Sequence, residues 1–216
     1  MKPYKGLINI LVDNESWILP FAEKLREDLV QLGYHAILAR EAEQIVPGWL
    51  TLLLGCTTIL KPEFLNLVEK NLVVHESNLP EGSGFAPLTW QILEGRKTVT
   101  FTLIEANHNV DTGHIALRSE IELSGFELCA EWREIQGQKT VEMCLEYITK
   151  HQHIEAIPQT GKRTYYRRRT PKDSQLDINK SIKEQFNLLR VVDNERYPAF
   201  FVLNGKKYKV KIYKDE

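Results

Sequence analysis

Short apolar runs and longer amphipathic stretches alternate along the first hundred residues. Gly6–Val12 is apolar without a helical period, which predicts a buried parallel strand. Asp13-Asn14-Glu15-Ser16 then offers capping side chains, and Trp17–Leu32 places Phe21, Leu25, Leu29 and Leu32 on one helical face. Gly33 is suited to end that helix. A strand-like His35–Ala39, a loop with Pro47 and Gly48, and a third apolar strand at Leu50–Leu54 follow.

Lys61–Lys70 reads as a short helix with Pro62 near its first position. Leu72–Val74 is a fourth strand that delivers His75, Pro87–Glu94 a helix stopped by Gly95, and Val99–Ile104 a fifth strand leading to Asp111. This alternation predicts an α/β fold: a doubly wound, mostly parallel, Rossmann-like sheet with right-handed crossovers. Ile115–Leu123 adds another strand and Thr140–Lys150 another helix. After Ile157 the character changes, with an extended Thr-, Gly-, Pro- and Arg-rich excursion from Pro158 to Asp173. Ile178, Ile182, Phe186 and Leu189 then predict a helix over Ile178–Arg190. The closing AFFVLNGKKYKVKIY predicts a β-hairpin turning at Asn204-Gly205. The expected division is an α/β domain over 1–157 and a small C-terminal extension over 158–216 packed against it.

Composition narrows the class. With 216 residues, 43% hydrophobic and 26% charged, the chain suits a packed globular core. Lys and Arg number 28 against 29 Asp and Glu, so no basic surplus points to nucleic acid as a partner. Cys56, Cys129 and Cys144 lack CxxC spacing, which indicates neither a disulfide framework nor zinc, and makes a reducing cytoplasm the expected location. His151-Gln152-His153 lies on a polar stretch and reads as a solvated pair rather than a metal site; no metal is expected. The opening MKPYKGLINILVDNE has too short an apolar run for a signal peptide, and no run reaches 18 apolar residues, so no membrane partner is expected.

The chemistry concentrates between Asn71 and Gly113. His75 ends an apolar run and opens a loop holding Pro80, Gly82, Gly84 and Pro87, while Asp111 lies in the turn Asp111-Thr112-Gly113 after another run. Strand ends and the loops after them are where α/β sheets bind ligands. A His and an Asp delivered there can form a general acid/base pair. Spacing alone leaves a surface histidine and an ordinary turn aspartate equally open.

The wording around these residues resembles a known family. His75-Glu76-Ser77-Asn78-Leu79-Pro80, Gly82-Ser83-Gly84-Phe85-Ala86-Pro87 and Trp90-Gln91-Ile92-Leu93-Glu94-Gly95, closed by Asp111-Thr112-Gly113, resemble the core of the N10-formyltetrahydrofolate-dependent formyltransferases. Upstream, Leu54-Gly55-Cys56-Thr57-Thr58-Ile59-Leu60-Lys61-Pro62 looks like the family's folate-contacting loop. Thr164-Tyr165-Tyr166-Arg167-Arg168-Arg169-Thr170-Pro171-Lys172-Asp173, then Arg196-Tyr197-Pro198-Ala199-Phe200-Phe201 and a hairpin, resemble the sugar-directed members.

The resemblance implies transfer of a formyl group from N10-formyltetrahydrofolate to the amine of a nucleotide-linked 4-amino-4,6-dideoxy sugar, for glycan biosynthesis. It implies catalysis by His75 and Asp111. Folate would be bound by Gly55, Thr57, Ile59, Leu60, Ser77, Leu79, Pro80 and Gly84, and the sugar nucleotide by Asn14, Ser16, Trp17, Asn78 and Arg168. The C-terminal hairpin offers an edge for a homodimer.

One family position departs. The asparagine expected two residues before the histidine is Val73 here. Valine donates no hydrogen bond, and losing one oxyanion donor costs roughly two to three orders of magnitude in rate. Either Asn78 or a backbone N–H of the glycine-bearing loop takes over, or catalysis is impaired and the chain binds folate. A different amine acceptor for the same chemistry is the remaining alternative.

Overall fold

The computed structural model describes residues 6–215. Its strands are β1 (Leu7–Leu11), β2 (His35–Ala39), β3 (Gly48–Leu53), β4 (Val68–His75), β5 (Ser83–Gly84), β6 (Thr98–Glu105), β7 (Ile115–Glu122), β8 (Tyr165–Tyr166), β9 (Ala199–Leu203) and β10 (Lys206–Val210). Its α-helices are α1 (Leu19–Gln31), α2 (Pro62–Leu65), α3 (Pro87–Leu93), α4 (Cys129–Lys150) and α5 (Phe186–Val191). Of the opening stretch expected to form a strand, residues 1–5 lie outside the described residues.

The main sheet has the order β2-β1-β3-β4-β6-β7. Pairs from β2 to β4 are parallel, whereas β4–β6 and β6–β7 are antiparallel, so β6 alone runs against the others. The α/β, mostly parallel fold is as expected. The direction of β6 is not: its carboxyl end lies beside Leu72, toward the start of β4, because Leu72 pairs with Glu105 and His75 with Thr102.

Alternation along each strand separates the two sheet faces. One face presents Ile8, Ile10, Leu50, Leu52, Leu72, Val74, Phe101 and Leu103 to α1, α3 and α4 in the large core. Burying each such side chain contributes about 1.5–3 kcal/mol. The opposite face carries Asn9, Thr51, Asn71, Val73 and His75, together with Thr102 and Ile104 from β6, under α2 and the connecting loops. Polar residues are tolerated there because loops supply partners: Asn9 Nδ2 donates to the Val46 carbonyl at 3.0 Å and Asn71 Nδ2 to that of Leu65 at 2.9 Å.

Several expected elements change. The helix expected over Lys61–Lys70 stops at Leu65, and β4 starts at Val68, because residues 68–73 pair with β3 from Gly48 onward. Asp13 and Asn14 cap no helix; α1 starts at Leu19 without a side-chain cap, and both residues serve the loop after β3. The helix expected over Thr140–Lys150 begins at Cys129. Gly137 disguises it in sequence, yet this glycine is where the Phe21 ring lies: a Cβ there would come within 2.6 Å of ring carbons. The helix expected over Ile178–Arg190 reduces to α5 and a preceding 3-10 turn, since Ile178 and Ile182 are exposed rather than facing a core. His151 is not solvated: it stacks on Trp49 with ring centroids 4.6 Å apart.

The C-terminal segment is fastened to α4 through a buried ion pair. Arg190 Nη2 lies 3.0 Å from Glu127 Oε2, and the Trp132 indole donates to the Arg190 carbonyl at 3.0 Å. Burial pushes the Glu127 carboxyl up, but hydrogen bonds from Ser124 and Gly125 outweigh it and bring the pKa down to about 2. β9 and β10 form the expected hairpin, with Asn204 and Gly205 both at positive φ (50° and 74°). Among the described residues no helix is long and apolar enough to cross a membrane.

Candidate active site

The carboxyl ends of β1, β3 and β4 lie along one edge of the sheet and feed the loops that carry the expected site residues. Those residues form two groups.

The first is built around His75. As the last residue of β4 it shares a face with Val73, and the residue is buried. Its Nε2 lies 2.8 Å from the Gly82 carbonyl oxygen. A carbonyl only accepts, so Nε2 carries a proton. Its Nδ1 lies 3.5 Å from Asp111 Oδ1. An imidazolium with both N–H groups satisfies both partners, and a carboxylate is the matching counter-charge. Asp111 Oδ2 in turn accepts the Gly84 N–H at 2.8 Å.

The segment Gly82-Ser83-Gly84 thus braces both members of the pair. Glycine is required at both ends of it: Gly82 and Gly84 have φ of +70° and +105°, and a Cβ on Gly84 would stand 2.3 Å from the Tyr166 carbonyl oxygen. Asp111 itself sits at φ +55°, a region Asp tolerates better than most residues. Because β6 points away, the loop after it folds back over the sheet face to bring Asp111 to His75.

Ser77, Leu79 and Pro80 are buried and shape this loop rather than line an open surface. Ser77 Oγ donates to the Glu81 carbonyl at 2.7 Å. Leu79 packs with Ile104, Ile115 and Val73, so the space facing Val73 is filled by apolar side chains. Asn78 is exposed, and among the described residues its side-chain amide has no hydrogen-bond partner.

The second group gathers where β1 and β3 end. Asp13 accepts the Thr57 N–H at 2.9 Å and the Thr58 N–H at 2.8 Å, and Asn14 Nδ2 donates to the Gly55 carbonyl at 2.9 Å. Burial raises the Asp13 pKa, but the Asn14 amide and the two loop N–H groups together leave it below the ordinary value. Ser16 sits beside Gly55, and Asn14 and Ser16 therefore contact the folate-type loop directly. Ile59 is exposed on that loop, 64% open, and Leu60 is half-buried. Trp17 meets Phe21 edge-on at 6.1 Å, under the Arg133 guanidinium at 5.8 Å.

The basic run divides. Arg167 pairs with Asp173, Arg169 is half-buried and donates to the Asp173 carbonyl, and Arg168 lies exposed over the Phe85 ring at 4.5 Å. Two residues are absent from the sequence-based set. Asp13 anchors the loop after β3. Glu76 follows His75 and accepts from Gln136 Nε2 at 2.6 Å; enclosure of its carboxyl pushes its pKa up, more than His75 and Gln136 pull it down. Only packing reveals either. The surface depression formed by α1 and β2, lined by Glu23, Arg26, Glu27, Ala36, Ile37 and Leu38, contains none of these groups.

Residues 36–128 match a protein family described as formyl transferase. A methionyl-tRNA formyltransferase of Thermosipho melanesiensis is 33% identical over 135 residues, which is 62% of this chain and 44% of that protein. The chain thus spans less than half the length of that curated relative. Two solved structures share the fold at 16% and 15% identity. A sugar N-formyltransferase from a Shewanella species superposes with a TM-score of 0.70 over 97% of this chain and 98% of its own. HypX from Aquifex aeolicus, in complex with tetrahydrofolic acid, gives 0.75 over 96% of this chain and 38% of its own.

Proposed function

We propose that this chain is an N-formyltransferase that takes a formyl group from N10-formyltetrahydrofolate and places it on the amine of a nucleotide-linked amino-dideoxy sugar. The observation that carries the reading is the His75–Asp111 pair, buried, 3.5 Å apart and braced on both sides by the Gly82–Gly84 segment. The family match over residues 36–128 supports formyl transfer. The solved sugar N-formyltransferase, matched along nearly all of both chains, supports the sugar amine as acceptor.

The donor, when bound, supplies an activated formyl group to an amine that must lose a proton. The exposed Ile59 gives apolar surface for a flat ring, on a loop whose backbone is already fixed by Asp13. Gly55, Thr57 and Leu60 shape the same loop, and Ser77, Leu79, Pro80 and Gly84 set the course of the facing one. His75 carries a proton at Nε2, and exchanging the Gly82 carbonyl for a substrate oxygen turns that N–H into an oxyanion donor. Asp111 holds the imidazolium through Oδ1 and keeps its other oxygen on Gly84 N–H, so it can accept a proton without losing its place. Asn78, exposed and unpaired three residues after His75, supplies the donor that Val73 lacks. Arg168 over Phe85 offers a free guanidinium to a diphosphate, with Asn14, Ser16 and Trp17 at the acceptor's far end.

Following tetrahydrofolate absorbance with a panel of amines tests this reading. Release should require a nucleotide-linked amino sugar. Release with aminoacyl-tRNA instead would move the acceptor to that of the sequence relative. Release without any amine, or folate binding with no turnover, would overturn it.

A further inference from the structure

His75 and Asp111 are held by side chains that take no part in the chemistry above. Asp111 is kept at positive φ while its carbonyl faces the segment that runs from Ile157 to Tyr166. That carbonyl accepts from Gln159 Nε2 at 2.9 Å and from both terminal nitrogens of Arg163 at 3.2 Å. Gln159 Nε2 also reaches the Gly113 carbonyl at 2.9 Å, and its Oε1 accepts from Arg163 Nη2 at 3.0 Å.

The same guanidinium reaches the glycine brace: Arg163 Nη1 donates to Ser83 Oγ at 2.6 Å. Ser83 stands between Gly82, whose carbonyl meets His75 Nε2, and Gly84, whose N–H meets Asp111 Oδ2. The backbone of the segment completes the attachment, with Ser83 N–H on the Thr164 carbonyl, Phe85 N–H on that of Tyr166, and Gly82 N–H on Thr164 Oγ1. Arg163 is therefore the one side chain among the described residues that bonds both the turn of Asp111 and the brace. Residues 107–110 beside Asp111 are exposed, so little else fixes that turn from outside.

We propose that Arg163 is a positioning residue for the His75–Asp111 pair: its planar, forked guanidinium ties the Asp111 carbonyl to Ser83 and so keeps the carboxylate in register with the imidazole. A lysine presents a single point of donation and cannot span both partners. Misplacing a reacting group by about 1 Å costs on the order of 100-fold in rate. The kinetic part of this inference rests on the formyl-transfer reading; the structural part does not.

Two measurements test it on the full chain. In turnover with N10-formyltetrahydrofolate, Arg163→Ala should lower kcat by roughly 10- to 100-fold with KM for the donor changed less than about threefold, Arg163→Lys should recover only part of that, and added guanidinium should restore Arg163→Ala. In nuclear magnetic resonance of the isolated protein, Arg163→Ala should shift the His75 imidazole and Gly84 amide signals while signals of the β9–β10 hairpin stay put. If no variant or wild-type protein transfers formyl groups, the proposed function fails and the resonance experiment still decides the positioning role. Unmoved His75 and Gly84 signals, or unchanged kcat in an active enzyme, would overturn it.

Discussion

Asp111 Oδ1 stands 3.5 Å from His75 Nδ1 although the strands that lead to the two residues run in opposite directions. The pair therefore depends on a loop that turns back over the sheet face, and on a brace that contacts both residues at once. That dependence makes the turn at Asp111 sensitive to substitution in a specific way.

Asp111→Asn should keep the fold nearly intact, since asparagine also tolerates positive φ and its amide oxygen can accept the Gly84 N–H. Asp111→Ala loses that bond and carries the left-handed penalty, about 1–2 kcal/mol. Urea denaturation of both variants should rank wild type and Asn together, with Ala clearly below.

Restoring the missing asparagine should not help. Val73 packs against Leu79, Ile104 and Ile115, so Val73→Asn buries an amide without partners at a cost of about 1–3 kcal/mol. Its kcat should not rise. Asn78→Ala, by contrast, should lower kcat by roughly 100- to 1,000-fold, the usual effect of deleting an oxyanion donor. Steady-state kinetics of the two variants side by side check both statements.

Glu76 should leave a signature in the pH dependence of stability. Enclosure raises its folded-state pKa, with Asp111 adding to the rise and His75 and Gln136 opposing it. A carboxyl raised on folding stabilises below its unfolded pKa, and that contribution is lost as pH rises through the folded value. Glu76→Gln should therefore melt higher than wild type at pH 8 and converge with it near pH 4. Each kcal/mol corresponds to about 2–4 °C in a chain of this size.

Gly137→Ala should destabilise the protein even though alanine is the better helix former by about 1 kcal/mol. The new methyl meets the Phe21 ring at 2.6 Å, and overpacking of this kind costs about 1–3 kcal/mol. Phe21→Leu in the same chain should recover part of the loss, measurable as a partial return of Tm.

These cases mark what the chain discloses in one dimension. Apolar runs of five or six residues were enough to place β1, β2 and β3, and Asn204-Gly205 was enough to place the hairpin, because each is encoded by neighbours in sequence. The direction of β6 was not legible, since an apolar run reads the same both ways. Gly137 looks like a helix breaker until Phe21 lies beside it, and Ile178 and Ile182 mimic a core stripe that faces solvent. In the candidate site, His75 and Asp111 stood out by their loops. Their support did not, because Thr164 and Arg163 meet Gly82 and Ser83 across 80 or more residues. Asp13 looked like a helix cap and proved to be an anchor for Thr57 and Thr58.

The most direct test is the rate of N10-formyltetrahydrofolate consumption with a nucleotide-linked amino sugar, in wild type and in Asp111→Asn, with folate binding measured in parallel. The account predicts that Asp111→Asn binds folate as wild type does and turns over at a rate lower by roughly two to four orders of magnitude, the range for loss of a general acid/base group. Equal turnover in the two proteins would contradict it.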